Sequence, residues 1–305
     1  MKAFKQILFS GILAVLFAGC ASGDGSKTPR ETIKSGTIHI SADESFKPVI
    51  DSQIQVFESL YPDAHIIVHY KPEAECLKDL NVDSIRMVLV TRGLTDEEQK
   101  LLKDRLSFSP RFAPVAFDAI AVITNNQSKD SIFTMQDIRS IADGTSGFKY
   151  KMLLDGTTST STVRFVTDSL LKGQKLSSNV VAAKNTEGVI DYVSANTDAI
   201  GLLGVSWVGD KNDSDVVSFL KKVNIASIEC RGCNGTYVKP YQANILGGRY
   251  PMIRTLFYIL KENYDGLGSG FTNFLIYEKG QLIFQRAYLL PARMRFEVRN
   301  MSISE

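Results

Sequence analysis

The chain has 305 residues, 44% of them hydrophobic and 22% charged, with 22 glycines and 9 prolines. Those proportions belong to a folded globular protein and exclude disorder, a collagen-like repeat and a polytopic membrane protein. The formal charge of +2 leaves no electrostatic footprint for nucleic acid, and the length allows about two domains.

Residues 1–19 carry Lys2 and Lys5, then an apolar run from Ile7 to Phe17 broken by Ser10 and Gly11. The run is too short to span a bilayer comfortably and reads as a secretory signal peptide. It ends Leu16-Phe17-Ala18-Gly19-Cys20, which resembles a bacterial lipobox, with Phe17 where leucine is usual. Cleavage there makes Cys20 the first mature residue and the expected lipidation site. Its acyl chains would anchor the protein to a membrane, each buried CH2 contributing about 0.8 kcal/mol. Without Lys2 and Lys5 the mature chain is formally neutral, so any preference for anions has to be local. Residues 20–35 lack apolar periodicity and are expected to be a flexible tether. No acidic run follows Cys20, so a lipid-anchored place in the cell envelope, facing the periplasm, is the expectation.

The body alternates strand-like and helix-like segments, the pattern of an α/β fold. Gly36–Ile40 predicts a strand, Ser41–Ser45 a turn, and Lys47–Leu60 a helix with Pro48 in its first turn. Ile50, Ile54, Phe57 and Leu60 share one face of that helix. His65–Tyr70 predicts a second strand and Glu73–Leu80 a short helix. Met87–Val90 is continuously apolar, as a buried parallel strand should be. Thr95–Leu102 predicts a helix opened by a capping box of Thr95 and Glu98. Phe117–Thr124 is again strand-like, followed by a polar loop and a helix over Thr134–Ile141. Met152–Leu154 is a short strand leading into the hydroxyl run Thr157–Thr162. A helix with Val163, Val166 and Leu170 on one face follows. Gly188–Asn196 predicts a helix, Ala199–Leu203 a strand, and Tyr250–Glu262 a helix, with further helices at Gly270–Tyr277 and Gly280–Ala287.

The six consecutive hydroxyl residues Thr157, Thr158, Ser159, Thr160, Ser161 and Thr162 lie between a strand and a helix. A helix start offers unpaired N–H groups and the positive end of a dipole, and hydroxyls add neutral donors, so the run can hold an oxyanion. It can equally cap the helix, for which one hydroxyl suffices. Ser41 and Ser45 repeat the arrangement after the first strand, where ligands of open α/β sheets bind. No catalytic constellation, nucleophile elbow, Walker loop or dinucleotide fingerprint is present. His39, His65 and His69 lie in strand-like segments as packing or sheet-face residues, and no metal site or cofactor is expected. Cys230 and Cys233 form a lone C-x-x-C, read as a local disulfide in an oxidising compartment in preference to a redox motif.

From here a resemblance enters. Tyr237–Pro251 with Arg254 and Tyr258, the tail Glu278–Pro291, the loop Thr91-Arg92-Gly93-Leu94-Thr95 and the triplet Thr160-Ser161-Thr162 resemble the substrate-binding lipoproteins of phosphate-type ABC importers. These are a branch of the type 2 periplasmic binding proteins. The resemblance covers nearly everything after residue 36. It implies an α/β fold of two lobes with mixed, mostly parallel sheets, helices on both faces and two hinge crossings. Residues 36–122 and 236–305 would form lobe one, and 123–235 lobe two. It implies no enzyme but a monomeric binder that closes on phosphate or a similar oxyanion and delivers it to an ABC permease. On this analogy the ligand is held by Ser41, Ser45 and Phe46, by Thr91 and Arg92, and by Ser159, Thr160, Ser161 and Thr162. The chain departs from the pattern at Lys71-Pro72-Glu73-Ala74-Glu75, where the family is Ser/Gly-rich, and at Arg86, near a family aspartate. Arg86 and Arg92 would then supply the cation, and Glu73 or Glu75 the proton acceptor. The alternative is an envelope lipoprotein of the same fold, a sensor or interaction protein with a changed or lost ligand site.

Overall fold

A computed structural model describes residues 31–147, 150–156, 160–209 and 219–294. The signal peptide, Cys20, most of the expected tether and Ser159 lie outside the described residues.

The first stretch runs β1 (Gly36–Asp43), α1 (Lys47–Leu60), β2 (Ala64–Lys71), α2 (Glu73–Lys78), β3 (Ile85–Val90) and α3 (Asp96–Leu106). Next come β4 (Arg111–Asn125), β5 (Ile132–Phe133), α4 (Met135–Asp143), β6 (Lys151–Leu154) and α5 (Ser161–Arg164), which continues as a π-helix over Phe165–Leu170. Then follow β7 (Val180–Ala182), α6 (Thr186–Ala195), β8 (Ala199–Gly204), β9 (Val223–Ile225), β10 (Ser227–Glu229) and β11 (Tyr237–Val238). The last described elements are α7 (Gln242–Leu246), β12 (Ile253–Leu260), α8 (Leu267–Ile276), α9 (Glu278–Arg286) and β13 (Leu290–Pro291).

Strands pair in the order β2-β1-β3-β12-β4-β8-β6-β7. β1 is parallel to β2 and β3, and β6 is parallel to β7 and β8. β12 and β4 are antiparallel insertions. The 15-residue β4 runs through both halves of the sheet. It pairs with β12 up to Ala119 and with β8 from Ile120. Carboxyl ends of parallel strands from both lobes therefore face a common boundary, the place where open α/β sheets bind ligands.

Period-two burial explains the continuously apolar strands. On β3, Met87 and Leu89 enter one core cluster while Val88 and Val90 enter another with Leu94, Leu102 and Ile259. On β4, Ile120 and Val122 face the first cluster, and Ala121 and Ile123 face a third with Val189, Ile190 and Val193. Both faces of the sheet are thus covered. The capping box of Thr95 and Glu98 forms, and Pro48 sits in the first turn of α1.

The expected helix over Tyr250–Glu262 is a strand instead. Arg254, Leu256, Tyr258 and Leu260 are buried, while Ile253, Thr255 and Phe257 are only partly so. That alternation belongs to a pleated strand, and its β-branched and aromatic content suits one. Packing between β3 and β4 decides the matter, since the gap there can be filled only by a strand. Ser41–Asp43, expected as turn, extend β1, and the turn proper is a 3-10 helix over Glu44–Phe46.

No described helix is long and apolar enough to cross a membrane. Cys230 and Cys233 are bonded to each other, and Cys76 is a buried free thiol. His39 and His69, on neighbouring strands, stack and share a hydrogen bond of 3.0 Å.

Candidate functional site: the boundary between the lobes

Four strand ends supply the site. Ser41 and Asp43 end β1, Thr91 follows β3, Asp155 follows β6, and Gly204 ends β8. All four polar residues are buried. The hydroxyl loop enters α5 with Thr160 as N-cap, its oxygen accepting from the Val163 N–H at 3.1 Å. Thr160 also donates to Asp155 at 3.1 Å.

Arg254 and Asp118 form the fixed part. They sit side by side on the central antiparallel strands, both enclosed, and Arg254 Nε donates to Asp118 Oδ2 at 2.7 Å. Arg254 Nη1 donates to Ser161 Oγ at 2.7 Å and to Thr162 Oγ1 at 3.3 Å. The guanidinium lies over the Phe46 ring, 4.7 Å from its centroid, an attractive cation–π arrangement. Asp118 Oδ1 accepts from the Val205 N–H at 3.2 Å. Burial disfavours the charge on Arg254, but Asp118 and Asp43 outweigh it and keep the guanidinium protonated. Arg254 Nη2 has no hydrogen-bond partner. It is approached closely by Gly204, where an added Cβ would stand 2.8 Å from it.

Asp43 is fully enclosed. Its Oδ1 accepts from the Ser45 N–H at 2.9 Å, and its Oδ2 has no partner. Burial, offset only in part by Arg254, pushes this carboxyl up to about 6.

The remaining bonds join these strand ends to the elements beside them. Ser45 Oγ donates to Asp155 at 3.2 Å, lies 3.4 Å from Ser161 Oγ, and the Ser45 carbonyl accepts from the Trp207 indole at 2.9 Å. Arg164 reaches from α5 to Glu73 at the start of α2, Nε to Oε2 at 2.6 Å and Nη2 to Oε1 at 3.2 Å. Thr91 donates to the same Oε1 through its N–H at 2.8 Å and its hydroxyl at 2.5 Å. Arg164 Nη2 closes the ring on Thr91 Oγ1 at 2.7 Å. Burial alone would raise the Glu73 carboxyl; Arg164 and Thr91 outweigh it and hold it below its usual range. Ser41 donates to Asp79 at 2.5 Å, where Lys71 also binds at 2.7 Å.

The structure thus gathers Ser45, Phe46, Thr91, Thr160, Ser161 and Thr162 at one boundary, with Ser41 beside them on β1. It does not bring Arg92 into their bonding network: that guanidinium makes two bonds of 2.7 Å to Glu98 on α3. Arg86 pairs with Tyr264 and Glu31. The cations of the site are Arg164 and Arg254, and its carboxylates are Asp43, Glu73, Asp118 and Asp155. Sequence reasoning missed most of these. A single charge inside an otherwise apolar strand, Asp118 in Phe117–Thr124 and Arg254 in Met252–Leu260, was the available signal, because such a charge has to be paired. Among the described residues no group of three or more His, Cys, Asp or Glu is placed to hold a metal.

A profile described as "PBP superfamily domain" matches residues 27–279. The chain belongs to the PBP superfamily. Its mixed sheet, strand order and helices on both faces are the type 2 periplasmic binding protein arrangement. A similar protein is the "Phosphate-binding protein PstS" of Pseudomonas aeruginosa, 24% identical over 287 residues that cover 85% of each chain. Among solved PBP-like structures, a putative phosphate ABC transporter substrate-binding protein with bound phosphate from Clostridium perfringens superposes with a TM-score of 0.69. It is 21% identical, covering 84% of this chain and 100% of that one. An ABC-type phosphate transport receptor from Vibrio cholerae gives 0.61 at 15% identity, again covering 84% and 100%.

Proposed function

We propose that the protein is a cell-envelope lipoprotein, anchored through Cys20, that captures phosphate or a related oxyanion between its lobes and passes it to an ABC permease. The observation that carries this reading is the treatment of the Glu73 carboxylate. Four donors, from Thr91 in one lobe and Arg164 in the other, converge on a single oxyanionic group. A boundary that gathers an oxyanion from both sides is the apparatus a closing anion-binder requires. Arg254, whose Nη1 donates to the Ser161 and Thr162 hydroxyls while its Nη2 is unpartnered, adds a second, fixed donor set. The switch of β4 between partners at Ala119 and Ile120 supports lobes built from 36–122 with 236–305 and from 123–235. The phosphate-binding relatives support the choice of ligand.

Asp43 fits a ligand that keeps a proton. Its free Oδ2 accepts a hydrogen bond from hydrogen phosphate but meets only lone pairs on sulfate. Binding and hinge closure, rather than catalysis, is the activity this arrangement supports. Calorimetry on anion-stripped protein tests it: stoichiometric heat with phosphate and weaker heat with sulfate is expected.

One observation favours a second reading. Ser41, Ser45, Thr91 and Thr160 each donate to a carboxylate of the protein itself. An envelope protein of this fold acting as a sensor or interaction partner, with a changed ligand site, has such internally satisfied hydroxyls. It shows no phosphate heat and yields a protein partner on crosslinking.

A further inference from the structure

The Glu73 ring has a second meaning, which rests on reading the boundary as an anion site. Glu73 is 2% exposed, opens α2, and is held by donors that an incoming oxyanion would use. Two come from the Thr91 N–H and hydroxyl at the end of β3, and two from Arg164 on α5. Thr91 follows β3 and Arg164 follows β6, which lie on opposite sides of β4 in the strand order. The carboxylate therefore links Thr91 and Arg164 as a bound anion would.

We propose that Glu73 is a built-in competitor and latch: it occupies part of the anion-recognition apparatus, holds the lobes closed without ligand, and must release Arg164 for an oxyanion to take its place. A tethered group competes at an effective concentration set by its tether, with no diffusional loss. A binder whose competent state is held to a minor fraction has its affinity reduced by that fraction. Glu73 would thus set the threshold concentration at which the protein loads. Arg164 is the mobile partner, since its side chain is 39% exposed while that of Glu73 is 3% exposed.

The test compares the full protein with E73A and E73Q, anion-stripped, by small-angle scattering without ligand and by calorimetry with inorganic phosphate and with sulfate. Circular-dichroism melts establish that each variant is folded, and E73Q keeps an acceptor for the Thr91 N–H should E73A fold poorly. The inference expects a larger ligand-free radius of gyration in the variants. It also expects phosphate to bind them about tenfold more tightly, as when a competitor holding nine-tenths of the molecules is removed. Equal ligand-free radii overturn the latch, and unchanged or weaker phosphate binding by open variants overturns the competitor. If the variants open but neither they nor the parent bind phosphate or sulfate, the latch stands and the anion reading falls.

Discussion

Two arginine–carboxylate pairs meet at the same boundary and behave as opposites. Arg254 and Asp118 are 4% and 0% exposed and sit on neighbouring strands of the central sheet. Arg164 and Glu73 are 39% and 3% exposed and come from different lobes. A fully enclosed pair is costly to break because the survivor is left as a bare buried charge. A pair with a solvent-facing guanidinium can part, since water replaces the lost contact. In the proposed account the first pair is framework at the anion site, and the second is the element that opens and shuts.

That contrast orders the expected effects. Asp118→Ala leaves Arg254 charged and enclosed, and should cost about 3–5 kcal/mol, a melting temperature lower by roughly 10 °C. Glu73→Ala leaves Arg164 facing solvent and should lower it far less. If Glu73→Ala is the more damaging change, the assignment of framework and latch is reversed.

Asp43→Asn separates charge from shape. The folded Asp43 carboxyl is pushed up to about 6 from 3.8, so the folded state binds this proton more tightly than the unfolded chain. Stability from this group is therefore present below about pH 4 and falls as the pH rises through 6. Asp43→Asn should remove the fall. At pH 8 it should be more stable than the parent by up to about 3 kcal/mol, at about 1.4 kcal/mol per pKa unit, and the two should converge near pH 3. Chemical denaturation at both pH values measures this, and parallel profiles would remove Asp43 as the titrating group.

Gly204→Ala pushes a Cβ to 2.8 Å from Arg254 Nη2 and 3.1 Å from the Ser45 carbonyl. Overpacking of that kind costs about 1–3 kcal/mol, and it should weaken anion binding by displacing the guanidinium. A variant as stable and as tight as the parent would show that the Arg254 position is not constrained there. The smallest change is the baseline. Lys222 and Asp191 are 3.6 Å apart and both well exposed, so Asp191→Asn should shift stability by less than about 0.5 kcal/mol.

The sequence carried the fold better than the site, and the reasons differ by element. Strands such as Met87–Val90 and Met152–Leu154 announced themselves because burial on both faces demands an unbroken apolar run. The capping box of Thr95 and Glu98 is a four-residue signal and was equally plain. Ile253–Leu260 misled because a short apolar run fits a helix as well as a strand, and only its neighbours in the sheet decide. Thr160, Ser161 and Thr162 were visible as part of a hydroxyl cluster in one loop. The charges were not: Glu73 meets Arg164 across 91 positions, and Arg254 meets Asp118 across 136. Such pairings are created by topology, which brings distant strand ends to one boundary. Arg92 looked like a cation for the site by its place in the loop, but Glu98, already drawn into the capping box, is six residues away and holds it.

The central claim is that the boundary between the lobes is an oxyanion site. Titrating inorganic phosphate into the anion-stripped protein in a calorimeter, at pH 7 and low salt, tests it most directly. The account predicts saturable heat at one phosphate per chain, accompanied by a higher melting temperature. No heat and no shift in melting temperature, in the parent and in E73A alike, would contradict it.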